Sequence, residues 1–174
     1  MKALLACTYL FITLNFITDT NAATIYLIRH AEKETSDKSD SDPDLTPAGI
    51  TRAKLAGQIL SEIQFTTIYS TDYSRTRQTA EFITLNQPNQ EIIYYDPRKL
   101  AKFAEMLKTQ PADGVFLVVG HSNTTPQLAQ MLSNQPIAAM DESEYHHLFR
   151  VGINPDGSTS FDALSIPPIP NNDE

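Results

Sequence analysis

Four apolar runs of strand length, TIYLI (24–28), FTTIYS (65–70), EIIYY (91–95) and GVFLVVG (114–120), are separated by segments with helical spacing. The first is apolar enough to be buried on both faces, which a strand achieves inside a sheet covered on each side by helices. LTPAGITRAKLAGQILSEI (45–63) predicts a helix, with Thr46 as N-cap, Pro47 as first helical residue and apolar residues recurring at helical spacing at Ile50, Ala53, Leu55, Ala56, Ile59, Leu60 and Ile63. RTRQTAEFITL (75–85) predicts a second helix, Asp96-Pro97 opens a third that runs to about Leu107, and TPQLAQMLS (125–133) predicts a fourth. Residues 146–166 read as a hairpin turned at Asn154–Gly157. Strands alternating with helices imply an α/β fold, a three-layer α/β/α sandwich with a mostly parallel central sheet. A single composition regime over 23–166 implies one domain, followed by an extended, mobile tail at 167–174.

Residues 1–22 differ in kind. Lys2 supplies a positive charge, residues 3–17 a short apolar core, and residues 18–23 a polar stretch ending in small residues. This is the layout of a secretory signal peptide cleaved after Ala22, too short to span a bilayer as an anchor. Cys7, the one cysteine, would leave with it. The expected location is outside the cytoplasm, in a bacterial periplasm, with no stable membrane anchor after the leader is removed.

In an open, mostly parallel sheet, ligands collect outside the carboxyl ends of the strands. Three of those ends carry cations or imidazoles. The first gives Arg29-His30, the second is followed by Arg75 and Arg77, and the fourth gives His121 directly after Gly120. The formal net charge is −8, which argues against a broad nucleic-acid surface. An anionic substrate must therefore meet a local cluster of arginines working against the global field.

RHAEK (29–33), STDYSRTRQTA (70–80) and VVGHSNT (118–124), in that order at strand ends, resemble the signature segments of the histidine phosphatase superfamily, also called phosphoglycerate-mutase-like. DLTPAGITRAKLAG (44–57) is similar to its segment before the first helix, so the resemblance covers about residues 24–133. It implies a phosphate pocket in which Arg29 and Arg75 clamp the phosphate and His121 is a third donor. It also implies that His30 attacks phosphorus to form a phosphohistidine that water hydrolyses. The chemistry agrees: arginine presents planar, bidentate donors to phosphate and keeps its charge, and donors fixed in advance stabilise the transferring group. The arginines do the neutralising that Mg²⁺ does elsewhere, so no metal or cofactor is expected.

The general acid that protonates the leaving oxygen is open at this stage. The mutase-like branch places a Glu after the third strand, which makes Asp96 the positional candidate, and Glu32 beside the nucleophile is another. Asp96 reads equally as the N-cap ahead of Pro97. In the acid-phosphatase branch an Asp follows the second histidine; here that residue is Ser122. Ser122, Asn123 and Thr124 either contact phosphate or cap the next helix. Arg77 reads as a surface salt bridge.

Other motifs carry less. GHSNT lacks the closing glycine of a nucleophile elbow. His146-His147 lacks partners at metal-ligand spacing. Asp40, Asp42 and Asp44 lack the glycine and distant glutamate of a calcium loop, which leaves a solvated acidic loop that screens substrates by charge. The leading expectation is a phosphatase acting on a phosphorylated sugar, small metabolite or protein. The alternatives are a phosphomutase, whose family members are longer, and a non-catalytic module that binds a phosphorylated ligand.

Overall fold

The computed structural model describes residues 22–85, 87 and 91–169. The signal-peptide reading and the last residues of the tail fall outside them. The elements follow the expected order: β1 (Ala23–Arg29), α1 (Pro47–Ile59), β2 (Thr67–Ser70), α2 (Ser74–Ile83), β3 (Ile92–Tyr94), a 3-10 turn (Pro97–Lys99), α3 (Leu100–Lys108), β4 (Val115–Gly120), α4 (Thr124–Ser133), β5 (His147–Ile153) and β6 (Thr159–Ser165). The sheet order is β3-β2-β4-β1-β5-β6. The first four strands are mutually parallel, and β5 and β6 complete the sheet antiparallel.

Each strand of the sheet centre alternates its side chains between two cores. Ile25 and Leu27 of β1, with Phe116 and Val118 of β4, face Phe103 and Leu107 of α3 and Leu128 and Leu132 of α4. Tyr26 and Ile28, with Leu117 and Val119, face Ala56 of α1 and Ala80 and Ile83 of α2. Two helices therefore cover each face, giving the expected three layers. Burying an aliphatic or aromatic side chain of this size contributes about 1.5–3 kcal/mol relative to leaving it exposed, so these two cores dominate the stabilising side of the balance.

Local chemistry accounts for the element ends. Thr46 is extended and its hydroxyl accepts from the Gly49 N–H at 3.0 Å, with Pro47 following, so the predicted start of α1 is met. α1 stops at Ile59, short of the predicted Ile63, because the Leu60 N–H still reaches Ala56 while the chain turns out through Ser61. A Cβ on Gly49 would lie 2.2 Å from the Glu32 carbonyl oxygen. Glycine there is what lets α1 lie against the backbone leaving β1. The hairpin turn falls at the predicted place, with Gly157 at φ +82°, a left-handed conformation that glycine adopts without a Cβ penalty.

Candidate active site

The strand order brings the three predicted strand ends together. β4 lies between β2 and β1, and Arg29 pairs with Gly120 in register. The His30 N–H donates to the Gly120 carbonyl at 2.9 Å, which pins the residue after β1 to the strand that delivers His121. The Ala31 N–H donates to Thr79 Oγ1 (3.0 Å), whose hydroxyl donates to the Arg75 carbonyl (2.7 Å), tying the same turn to α2. An open cleft of about 380 Å³ is lined here by His30, Lys33, Arg75, His121, Ser122 and Glu142 among others.

His30 is buried, and its ring centroid lies 5.5 Å from that of His121, edge to face. Its Nδ1 is 2.7 Å from the Ala31 carbonyl. A carbonyl can only accept, so Nδ1 carries the proton and Nε2 holds a lone pair. Burial, with the charges of Arg29 and Arg75 and the His121 ring adding to it, lowers the His30 pKa to about 3 against the Ala31 hydrogen bond. His30 is thus neutral throughout the physiological range. Burial followed by Arg75 and Arg29 lowers His121 to about 4, with Glu142 opposing. Thr71 Oγ1 lies 2.9 Å from His121 Nε2 and 2.9 Å from Thr76 Oγ1. The Thr76 hydroxyl has the Thr71 and Tyr73 carbonyls as acceptors, so a chain of hydroxyls anchors the His121 ring to the start of α2.

The two arginines are held differently. Arg29 is 2 % exposed. Its Nη1 donates to the carbonyls of Asp141 and Glu144, both at 3.0 Å, and its Nη2 to Glu142 Oε2 at 2.7 Å. The guanidinium lies over the Tyr145 ring at 4.2 Å. A cation this deep costs several kcal/mol of desolvation, which these contacts offset. Arg75 lies over the Tyr73 ring at 4.6 Å, with Nη1 3.4 Å from Asp42 Oδ1. One donor on each remains unmet: the buried Nε of Arg29 and that of Arg75 have no partner.

The structure places the other predicted residues as follows. Ser122 Oγ donates to Glu142 Oε1, and Asn123 lines the cleft. Thr124 Oγ1 accepts the His121 N–H at 3.0 Å. Asp96 lines a neighbouring depression that shares Tyr73, Pro97 and Arg98 with the His30 cleft. It follows β3, the edge strand three positions from β1, and it does not line the cleft. Its carboxylate caps the 3-10 turn by accepting from the Arg98 N–H (3.0 Å) and pairs with the Arg98 side chain, which holds its pKa down at about 2. The capping reading of Asp96 is the one the geometry carries. Glu32 is likewise engaged, by a two-oxygen pairing with Arg52 Nε at 2.7 and 2.9 Å. Arg77 pairs with Asp72 at the surface, as expected.

The acidic loop is more than a solvated rim. Asp42 accepts the Ser74 N–H at 2.8 Å and Asp44 accepts from the Ser74 hydroxyl, so two carboxylates sit on the otherwise uncapped N-terminus of α2 and steady Arg75. Sequence reasoning also missed Glu142 and Tyr145. The signal for them is topological: β5 runs antiparallel to β1, pairing Leu148 with Ile28, so the segment entering β5 must lie at the carboxyl end of β1. His146 and His147 do gain a neighbour. One ligand atom each from Glu144, His146 and His147 falls within 4.8 Å of the others, although Glu144 already accepts the Asp141 N–H at 2.7 Å.

Residues 25–98 match the family model described as histidine phosphatase superfamily, branch 1. No curated protein sequence matches the chain. Among solved structures, the protein histidine phosphatase SixA complexed with tungstate superposes with a TM-score of 0.67 at 18% identity, covering 82% of this chain and 96% of that one. A mycobacterial glucosyl-3-phosphoglycerate phosphatase gives 0.65 at 13%, covering 84% and 100%. Phosphoglycerate mutase from Bacillus anthracis str. Sterne gives 0.62 at 17%, covering 84% and 94%, so chain length does not separate phosphatase from mutase. The matched segment and the shared architecture agree: residues 25–98 carry the histidine phosphatase superfamily signature, and the chain has the phosphoglycerate-mutase-like fold.

Proposed function

We propose that this protein is a phosphomonoester phosphatase that works through a phosphohistidine on His30, without a metal. One observation carries the reading. A neutral imidazole with a free Nε2 lies in a cleft with the Arg75 guanidinium, that of Arg29 is buried beneath it, and each guanidinium keeps a buried N–H with no partner. Unmet buried donors are costly, and phosphate oxygens satisfy them with charge-assisted hydrogen bonds. In this reading Arg29 and Arg75 hold the phosphate, His121 stabilises the transferring group, and the electron pair on His30 Nε2 attacks phosphorus in line. The substrate is a phosphorylated sugar, another small phosphomonoester or a phosphorylated protein. The leader-like first 22 residues support a location outside the cytoplasm.

A phosphomutase is the second reading. Lys33 and the Arg98 side chain line the same cleft and offer charge for a second acidic group on the substrate. Hydrolysis of p-nitrophenyl phosphate by the wild type and His30→Ala, in excess EDTA, tests the proposal. Turnover that resists EDTA and falls at least ~10³-fold in the variant is expected. Turnover that survives in His30→Ala contradicts the mechanism. Conversion of 3-phosphoglycerate to its 2-isomer without net phosphate release selects the mutase.

A further inference from the structure

Transfer of phosphate from an alcohol to His30 leaves an alkoxide unless a proton arrives with it. The two candidate acids read from the sequence are engaged elsewhere, Asp96 with Arg98 and Glu32 with Arg52. Glu142 is the one carboxylate among the described residues that line the cleft. It stands on the segment entering β5, 77 % exposed, and is held at two points, by Arg29 Nη2 and by the Ser122 hydroxyl. Both holders belong to the phosphate side of the site. The carboxylate lines the cleft and is open to solvent, the direction in which a leaving alcohol departs.

We infer that Glu142 is the general acid and base of the reaction, supplied by the antiparallel end of the sheet instead of by the segment after β3. The inference rests on the phosphohistidine reading. At rest the carboxylate is ionised, because the Ser122 hydrogen bond and then Arg29 hold its pKa below the usual range. Phosphate in the cleft places more negative charge beside it and favours its protonated form. The His30 Nε2 electron pair then forms the P–N bond while the P–O bond to the alcohol breaks. The pair left on that oxygen takes the Glu142 proton, and the alcohol departs. In the second half, water attacks the phosphohistidine and gives a proton to the Glu142 carboxylate. The P–N bond breaks and its electron pair returns to His30. The sum is monoester plus water to alcohol plus phosphate; Glu142 takes a proton from solvent when substrate binds, is protonated again at the end of the second half, and returns that proton to solvent when phosphate leaves.

The test compares kcat/KM of the wild type, Glu142→Gln and His30→Ala on p-nitrophenyl phosphate and on glycerol phosphate. The first substrate releases a stabilised phenolate and needs little proton donation; the second releases an alkoxide. Glu142→Gln is expected to lose ~10²-fold or more on glycerol phosphate and under ~5-fold on p-nitrophenyl phosphate. The exposed position of Glu142 keeps the variant folded, which its thermal unfolding checks. Equal losses on both substrates, or no loss on either, overturn the inference. So does tighter inhibition by inorganic phosphate without leaving-group dependence, which makes Glu142 only a competing anion for Arg29. Activity retained by His30→Ala on both substrates overturns the phosphohistidine reading instead.

Discussion

The carboxyl edge of the parallel strands and the β5–β6 hairpin both carry arginine–carboxylate pairs, yet the two regions treat them in opposite ways. On the hairpin, Arg150 donates to Asp162 at 2.7 and 3.0 Å across the antiparallel pair, with both side chains close to half exposed. Its charges stay in water, and such pairs contribute roughly 0.2–1 kcal/mol. At the carboxyl edge, Arg29 is almost wholly buried, is held by two backbone carbonyls, a carboxylate and a ring, and still keeps one donor unmet. A fold has no stability reason to bury a cation and leave part of it unsatisfied. In the proposed reading, a phosphate oxygen would meet that deficit beside the neutral histidine.

Three experiments break or sharpen that contrast. The largest effect is expected at the edge: Arg75→Gln lowers kcat/KM for p-nitrophenyl phosphate ~10²–10³-fold while the fold is kept, because one preorganised donor to the transferring phosphate is lost. Steady-state kinetics beside a urea unfolding curve check both halves. An unfolded variant, or an active one, breaks the assignment of Arg75 to the pocket.

The next effect is a pH dependence. The native His30 pKa is about 3, below the ordinary unfolded value of about 6.5. Between those values the unfolded chain binds a proton that the native protein refuses, so stability falls as pH drops from about 6.5 towards 3. At pH 5 this amounts to about 2 kcal/mol. His30→Asn removes that group, so its stability declines less between pH 7.5 and 5 than that of the wild type. Urea midpoints at the two pH values measure the difference. Equal slopes mean that His30 takes up its proton in the fold as readily as in the unfolded chain, which contradicts the lowered pKa. The smallest effect is on the hairpin: Arg150→Ala changes stability by under ~1 kcal/mol and leaves kcat/KM unchanged. A loss comparable to that of Arg75→Gln erases the contrast between the two regions.

How much of this was legible in the sequence follows from how local each cause is. Thr46, Pro47 and the Asn154–Gly157 turn act within a few residues of themselves, and the structure places them as read. The strand ends at Arg29-His30 and His121 were legible because a strand-length apolar run announces where it stops. Their adjacency was not, since it depends on β4 inserting between β2 and β1. Asp96 reads two ways from the chain alone, as an acid by its position after β3 and as a cap ahead of Pro97, and its bonds to the Arg98 N–H and side chain are those of the cap. Glu142 was invisible because it lies 112 residues beyond His30 and reaches the cleft through the antiparallel return of β5. The acidic loop reads as solvated, since nothing local tells that Asp42 and Asp44 find an uncapped helix some 30 residues on.

The central claim is covalent transfer of phosphate to His30. Rapid acid-free quenching of the protein during turnover of a phosphomonoester, followed by peptide mass spectrometry, tests it most directly. The account predicts an acid-labile, alkali-stable phosphate on the peptide containing His30, formed within the first turnover and absent in His30→Ala. Continued turnover with no phosphate on His30, or with phosphate on another residue, contradicts it.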